Sequence, residues 1–378
     1  MSKLSKAPKL IDLFCGCGGM SLGAARAGFK VVAGIDRDER ALRAHTSNFP
    51  KSKHLCLDLS KATANEILQQ SGLTACEVDV ITGGPPCQGF STMGKRDVED
   101  TRNQLLSHFF RIVDELKPRA FVLENVPGIL NEQYATILAD AISIVGESYD
   151  VLKPHTLTAF ELGAPTLRRR VFIVGFLNTT PHFVGDFWSK PKKSQRAPIV
   201  RHALCGLPAD INPEWKNSGD GSRLVRVVRS GRFFASATGR VPAGVGNPES
   251  LASYQKSRVV TGCWGTKHSA DLTSRYAALG AGKSDSKTKS MRLDPDGYCP
   301  TLRAGTGPDR GSFQAVRPIH HIRPRVITPR EAARLQGFPD WYQFDVTKWH
   351  SFRQIGNSVS PIVAEHVMKR VRRALDHE

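Results

Sequence analysis

The sequence predicts an α/β fold, a doubly wound Rossmann-like domain with a smaller, irregular second domain, on three observations. Short apolar runs alternate with helical patterns through the first half of the chain, a glycine-rich turn follows the first run, and the pattern weakens after about residue 180. Alternating strand and helix patterns are typical of a parallel sheet covered by helices. The 378 residues suffice for two or three domains.

The first apolar run, KLIDLFC at 9–15, predicts a strand, and the glycines after it predict a turn. MSLGAARAG at 20–28 has the pattern of a helix that Gly28 closes. Further apolar runs predict buried strands of the same parallel sheet at residues 30–36, 78–84, 119–126 and 169–176.

The second part of the chain is rich in glycine, serine and arginine and has little periodicity. This composition predicts short strands and long surface loops. A helical pattern then returns, where Thr328 and Glu331 form a predicted capping box around Pro329. A terminal amphipathic helix is predicted at 360–375.

Positive charge is concentrated in one segment. The formal net charge is +18, and residues 190–330 hold 25 Lys and Arg against 9 Asp and Glu, whereas residues 1–189 hold 21 against 20. A solvated face is the alternative reading, but such a face usually mixes the two signs. An excess of one sign over this length favours a polyanionic partner.

Targeting and cysteine patterns point to the cell interior. The sequence contains no run of about 18 apolar residues, the length needed to span a bilayer. MSKLSKAPKL at the start lacks the apolar stretch of a signal peptide. We therefore expect a soluble, cytoplasmic protein. The eight cysteines show neither a disulfide scaffold nor zinc-ligand spacing, which predicts reduced thiols and no metal site.

The glycine-rich turn and an acidic residue together indicate an adenosine-containing cofactor. Gly16 and Gly18 allow a ligand to approach the backbone and the next helix, although Ser21 stands where a dinucleotide fingerprint has its third glycine. Asp36 ends the second predicted strand, where a carboxylate can accept hydrogen bonds from a ribose. Capping of the helix that starts near Asp38 is the alternative role for Asp36.

A stiff loop presents one thiol. In GGPPCQGFS, residues 83–91, Pro85 and Pro86 restrict the backbone directly before Cys87. The string alone leaves two readings open, a nucleophile or a packed, inert cysteine, because free cysteines are often buried.

The sequence contains six motifs in this order: DLFCGCGG, GGPPCQGFS, LENV, LRRRVFIVG, TPREAARLQGFP and QIGNSVSPIVAEHV. Their order and spacing resemble the DNA cytosine-5 methyltransferases, whose variable target-recognition region lies between the fourth and fifth motifs. The resemblance spans nearly the whole chain outside residues 180–320. It implies an S-adenosylmethionine-dependent methyltransferase domain that methylates carbon 5 of cytosine in a specific sequence of double-stranded DNA, after base flipping.

The resemblance implies four catalytic residues. Cys87 is expected to attack carbon 6 of cytosine, which makes carbon 5 nucleophilic, and Glu124 in LENV to donate a proton at ring nitrogen 3. Arg168 and Arg170 share one side of their strand and are expected to contact the base or its phosphate. Thr166 stands where the family commonly has glutamine, a departure expected to weaken a supporting hydrogen bond.

The resemblance also implies binding residues and a domain layout. Asn357 in QIGNSV is expected to line the cofactor pocket, so that residues 1–185 are completed by 345–378 and the target-recognition domain spans 186–344. The residues expected to bind S-adenosylmethionine are Phe14, Gly16, Gly18, Gly19, Asp36, Asp58, Pro86, Leu105 and Asn357. For Leu105, packing in the hydrophobic core is the alternative role. The DNA-contacting residues expected are Gln88, Ser91, Arg226, Arg229, Arg232, Thr301 and Arg303.

Two other functions occur on the same scaffold. A transfer-RNA methylase on the same scaffold typically has a different residue after the Pro-Cys-Gln triplet and a shorter variable region, so Gly89 and the long basic segment favour DNA. An inactive binding module usually lacks the cysteine or the glutamate, and both are present here. The resemblance further implies a monomer of bacterial or phage origin that acts on nucleoid DNA, with a cognate restriction endonuclease as a further partner.

Overall fold

The computed structural model describes residues 7–86, 104–178, 187–189, 197–213, 219, 221–226, 231–238, 241–305 and 316–376. Its centre is an eight-stranded mixed sheet with the order β3-β2-β1-β4-β5-β8-β6, and β7 also pairs with β8. The strands are β1 (Lys9–Leu13), β2 (Lys30–Asp36), β3 (Lys53–Cys56), β4 (Val80–Gly83), β5 (Ala120–Asn125), β6 (Tyr149–Val151), β7 (His155–Thr158) and β8 (Arg169–Leu177).

The sheet confirms the doubly wound prediction and corrects it at one strand. β1 to β5 pair in parallel, and the order reverses at β1, as in Rossmann-like folds. β8 was expected to be parallel, but it pairs antiparallel with β5, β6 and β7. Only the short helix 159–162 and a turn separate β7 from β8, which is too little chain for a parallel crossover.

Helices cover both faces of this sheet. Two large clusters of buried apolar side chains lie on opposite faces of the sheet. One includes Ile11 and Phe121, and the other includes Leu10 and Val122. The helices that accompany the sheet are α1 (Gly19–Arg26), α2 (Glu39–Asn48), α3 (Ala64–Ser71), α4 (Gln104–Leu116), α5 (Ala135–Ser143) and α6 (Ala159–Leu162).

The later part of the chain has short elements, as its composition predicts. It contains the two-stranded antiparallel sheet β9 (Arg223–Leu224) and β10 (Val259–Val260). Most of its buried apolar side chains join one of the two sheet-facing clusters, so this part packs directly on the sheet domain. Tyr276 instead packs with Ile319 and Val326 in a small separate cluster. The helices are α7 (Val200–Ala203), α8 (Arg232–Thr238), α9 (Pro248–Ser257) and α10 (Ala270–Ala278).

Three helices end the chain: α11 (Pro329–Gln336), α12 (Lys348–Asn357) and α13 (Pro361–Asp376). The predicted capping box of α11 is confirmed, since Thr328 Oγ1 accepts from Glu331 N at 3.2 Å and Glu331 Oε2 accepts from Thr328 N at 2.7 Å. α13 lies against α1. Residues more than 330 positions apart in sequence therefore share one helix interface.

No helix in the described residues is both long enough and apolar enough to cross a membrane.

Several buried histidines must stay neutral in this fold. Burial lowers the pKa of His45 well below 6.5, that of His320 to about 4 and that of His366 to about 3. A histidine that is protonated only in the unfolded chain contributes stability above about pH 6.5 and loses it as the pH falls toward the folded pKa. The contribution of these histidines to stability therefore falls as the pH is lowered below 6.5.

We predict that His366→Gln flattens the pH dependence of stability. One excluded proton changes the free energy of unfolding by about 1.4 kcal/mol per pH unit, so between pH 7.5 and 5.5 the variant should lose about 1 kcal/mol less than the wild type. Urea unfolding at the two pH values measures both changes. Parallel pH profiles for the two proteins would contradict the assignment of a neutral His366.

Candidate active site

The carboxyl ends of the parallel strands meet at one edge of the sheet. β1, β2, β4 and β5 all end there because they run in the same direction. The turns after these strands carry most of the residues that the sequence predicts for cofactor and catalysis. This edge is where ligands bind in open α/β sheets.

The glycine turn after β1 is held by Asp36 at the end of β2. Gly16 N donates to Asp36 Oδ2 at 2.9 Å, and Asp38 N donates to Asp36 Oδ1 at 2.9 Å. The cap of α2 is instead Asp38, whose side chain accepts from Arg40 N and Ala41 N. Burial raises the pKa of Asp36. Asp36 therefore serves the turn rather than the helix end.

The three glycines of this turn have different surroundings. A Cβ at Gly16 would meet no heavy atom within 4 Å, so this glycine borders open space. A Cβ at Gly18 would lie 2.6 Å from Phe49 Cε2, and one at Gly19 would lie 2.2 Å from the carbonyl oxygen of Val359. Gly18 and Gly19 thus allow close protein packing, whereas Gly16 leaves room for a ligand.

A buried chain of hydrogen bonds below this turn was not predicted from the sequence. Ser21 Oγ donates to Asp12 Oδ2 at 2.5 Å, and Thr82 Oγ1 donates to Asp12 Oδ1 at 2.9 Å. His45 Nε2 lies 2.9 Å from Ser21 Oγ, and His54 Nε2 lies 3.0 Å from His45 Nδ1. The separation of these residues along the chain gives no periodic signal that could have revealed them.

The directions of these hydrogen bonds follow from one donor. Because the Ser21 hydroxyl proton goes to Asp12, Ser21 Oγ must accept from His45 Nε2, and His45 Nδ1 must then accept from His54. Burial raises the pKa of Asp12 to about 6. The chain satisfies each buried polar atom that it joins and fixes the floor of the glycine turn.

The other described cofactor candidates lie after β1 and β3 and at the ends of two helices. Asp58 is partly exposed and accepts from Ser60 N and Ser60 Oγ, which lowers its pKa. Asn357 ends α12 and is exposed, and Phe14 takes a left-handed backbone conformation with φ of 56°. Leu105, in the first turn of α4, is buried.

The end of β5 lies beside the loop that leads to the candidate nucleophile. Glu124 is 7% exposed, and a Cβ on Gly84 would lie 3.2 Å from Glu124 Oε2. Asn125 Nδ2 donates to the carbonyl oxygen of Pro85 at 3.4 Å. Cys87, like Gln88 and Ser91, lies outside the described residues. The described loop ends at Pro86, immediately after the residues that contact Glu124 and Asn125.

Arg170 and Arg168 have different partners although they share one side of the strand. Arg170 Nε lies 2.7 Å from Glu124 Oε1, which forms an ion pair at the end of β5. Arg168 is 2% exposed and donates to the carbonyl oxygens of Leu302, Gly356 and Asn357. The expectation that both arginines face the base therefore fits the position of Arg170, whereas the described guanidinium contacts of Arg168 are with the backbone.

Thr166 pairs with a segment of the predicted recognition region. Its backbone forms a parallel bridge with Cys299, and its side chain is fully buried. The described residues among the predicted DNA contacts, Arg226, Arg232, Thr301 and Arg303, are exposed. Arg229 lies outside the described residues.

Four other cysteines are buried and neutral. Burial raises the pKa of Cys15 and Cys299, and it raises the pKa of Cys17 and Cys263 to about 12. Such thiols carry almost no thiolate near neutral pH and are poor nucleophiles. Within the described ranges, no group of three or more His, Cys, Asp or Glu could hold a metal ion.

Comparisons with known proteins identify the relatives of this chain. A family model described as C-5 cytosine-specific DNA methylase matches residues 8–373. The type II methyltransferase M.XorII of Xanthomonas oryzae pv. oryzae is 36% identical over 385 residues, which cover 97% of this chain and 84% of that protein. M.AgeI of Thalassovita gelatinovora is 29% identical, with 97% and 100% covered.

Solved structures share the fold. A protein described as a DNA modification methyltransferase encoded within an E. coli prophage is 44% identical and superposes with a TM-score of 0.87, covering 98% of this chain and 100% of that chain. The S. pombe Dnmt2 methyltransferase superposes with a TM-score of 0.61 over 98% of both chains, at 18% identity. The second likeness concerns the fold alone.

We predict that Ser21→Ala weakens both the fold and the cofactor turn. His45 Nε2 would lose its acceptor and Asp12 one donor, which typically costs about 1–3 kcal/mol. Urea unfolding should show this loss, and calorimetry should show weaker binding of S-adenosylhomocysteine, the demethylated cofactor. Thr46→Ala is the matched control, since Thr46 is exposed on α2 and donates only within its own helix, to Leu42 O. Wild-type stability and affinity in Ser21→Ala would refute this role.

Proposed function

Because this chain belongs to the C-5 cytosine-specific DNA methylase family, it transfers a methyl group from S-adenosylmethionine to carbon 5 of cytosine in DNA, and we propose that Cys87, Glu124 and Arg170 perform the chemistry. One observation carries the assignment of residues. The end of β4 and the loop after it lie against the end of β5, where Gly84 is beside Glu124 and the carbonyl oxygen of Pro85 accepts a hydrogen bond from Asn125. Gly84 and Pro85 precede Cys87 by three and two residues.

The three side chains have separate roles in this proposal. The Cys87 thiolate forms a bond to carbon 6 of the flipped cytosine while Glu124 gives a proton to nitrogen 3, so that the ring becomes an enamine with carbon 5 as the nucleophile. Glu124 gives this proton as the carboxylic acid, and Arg170, whose Nε lies 2.7 Å from Glu124 Oε1, orients that carboxyl group toward the base. Carbon 5 takes the methyl group from S-adenosylmethionine, which departs as S-adenosylhomocysteine. Carbon 5 then loses its proton to a base, the bond from carbon 6 to Cys87 breaks, and the nitrogen 3 proton returns to Glu124.

The residues around the glycine turn fit S-adenosylmethionine, which supplies the electrophilic methyl group when it is bound. Gly16 borders open space, Asp36 presents a carboxylate beside it, and the Asn357 side chain is exposed at the end of α12. We assign the adenosine and the amino-acid group of S-adenosylmethionine to these three residues together with Phe14. Gly18 and Gly19 contribute backbone only, because their Cα hydrogens face protein. The remaining proposed contacts are Asp58, Pro86 and Leu105.

DNA recognition is assigned to residues 186–344, and catalysis and cofactor binding to residues 1–185 completed by 345–378. The support is the charge map, since residues 190–330 carry nearly all of the net positive charge. Cations neutralise phosphates, and they hold a duplex whose base is flipped out. The proposed DNA contacts are Gln88, Ser91, Arg226, Arg229, Arg232, Thr301 and Arg303.

The biological setting is also a proposal. The named bacterial relatives are type II methyltransferases, and one similar structure is encoded within a prophage. We infer a monomer of bacterial or phage origin that works on nucleoid DNA in the cytoplasm, with a cognate restriction endonuclease that cuts the same sequence when unmethylated.

We predict that Glu124→Gln lowers the rate of methyl transfer by about 10² to 10⁴, because the amide keeps the size of the acid but has no acidic proton to transfer. Cys87→Ser should abolish transfer, since an alcohol supplies far less nucleophile than a thiol. Transfer of labelled methyl groups to bacterial DNA measures both, and S-adenosylhomocysteine binding reports retained folding. A folded Glu124→Gln variant with more than about half of the wild-type rate would remove Glu124 from the mechanism.

A further inference from the structure

Arg168 lies buried between two segments that the proposed function assigns to different ligands. Its Nη1 donates to Gly356 O at 2.9 Å and to Leu302 O at 3.3 Å, and its Nη2 donates to Asn357 O at 3.4 Å. Leu302 belongs to the segment 299–305, which carries Thr301 and Arg303. The other two carbonyls belong to the turn that carries the Asn357 side chain.

The segment 299–305 is also paired with the chain that leads to Arg168. Leu167 N donates to Cys299 O at 2.8 Å, and Cys299 N donates to Pro165 O at 3.0 Å. These bonds fix one end of the segment to the start of β8. Arg168, directly before β8, then fixes the segment at Leu302.

The two segments touch each other as well. A Cβ on Gly356 would lie 2.6 Å from Ala304 N and 2.6 Å from the carbonyl carbon of Arg303. Only a glycine allows the backbone after α12 to come this close to the backbone of 303–304. A shift of either segment must therefore move the other.

We propose that Arg168 is a positioning residue that couples DNA binding at 299–305 to cofactor binding at the Asn357 turn. A buried guanidinium that loses carbonyl partners is left with an incompletely compensated charge, which is costly. The arrangement in which both segments meet Arg168 is thus favoured over partly separated ones. A ligand that orders one segment then lowers the cost of ordering the other, and this is positive coupling between the two sites.

This proposal rests on the assignment of Thr301 and Arg303 to DNA and of Asn357 to the cofactor. It does not rest on the roles of Cys87 and Glu124. The proposed chemistry belongs to Arg170 instead, which lies two residues after Arg168 and is paired with Glu124 rather than with the coupled segments.

The coupling is measured as a ratio of DNA affinities. A fluorescein-labelled duplex that carries the site located by bisulfite sequencing is titrated with protein, with and without saturating S-adenosylhomocysteine. We expect the cofactor product to tighten DNA binding of the wild type at least about fivefold, and we expect Arg168→Met to reduce this ratio to about one. Arg169→Gln, on the exposed side of the same strand, should keep the wild-type ratio and activity.

Arg168→Lys keeps the charge and three donors on a narrower head group, so it should restore part of the ratio. If Arg168→Met fails to fold, Gly356→Ala tests the same coupling, because its Cβ must displace the 303–304 backbone and should lower the ratio. A wild-type ratio of about one, or an unchanged ratio in a folded Arg168→Met or Gly356→Ala variant, would overturn the proposal.

Single-turnover methylation from the preformed ternary complex distinguishes coupling from catalysis. A positioning role predicts that Arg168→Met reacts at nearly the wild-type rate once both ligands are saturating. An unchanged affinity ratio with a loss of rate as large as that of Glu124→Gln would instead place Arg168 in the catalytic set and refute the coupling role. Failure of the proposed chemistry would appear separately, as an active Glu124→Gln variant.

Discussion

The last helix and the turn before it lie so close to the first helix that no side chain fits between them at two positions. A Cβ at Gly19 would lie 2.2 Å from Val359 O, and a Cβ at Gly23 would lie 2.5 Å from Glu365 N. These glycines are four residues apart, so they share one face of α1. Backbone contact at this face brings the turn before α13, with Asn357, to the glycine turn after β1.

The proposed active site is therefore built from distant parts of the chain at one sheet edge. The parallel strands bring Asp36, the Pro85 loop and Glu124 to this edge, and the α1–α13 contact adds the Asn357 turn. β8 runs the other way, so its first residues arrive at the same edge. Arg170 can thus reach Glu124, and Arg168 can reach the carbonyls of the Asn357 turn.

Local patterns predicted the elements that depend on nearby residues. The bounds of β2 match the predicted run, the Thr328 capping box is present, and Glu124 lies at the end of a strand parallel to β4. The direction of β8 was missed, because strand direction depends on the connection and not on the apolar run. The hydrogen-bond chain that runs from Asp12 through Ser21 and His45 to His54 was missed, and so were the partners of Arg168. Both join residues that only tertiary packing brings together.

We propose that carbon 5 is methylated through a covalent bond between Cys87 and cytosine. The most direct measurement uses duplex DNA with 5-fluorocytosine at the target position, because fluorine cannot leave as a cation and the adduct cannot collapse. We expect a protein–DNA complex that survives denaturing electrophoresis, needs S-adenosylmethionine to accumulate and is absent with Cys87→Ser. If the wild type methylates the ordinary duplex but forms no such complex on the fluorinated one, both the covalent step and the role of Cys87 are contradicted.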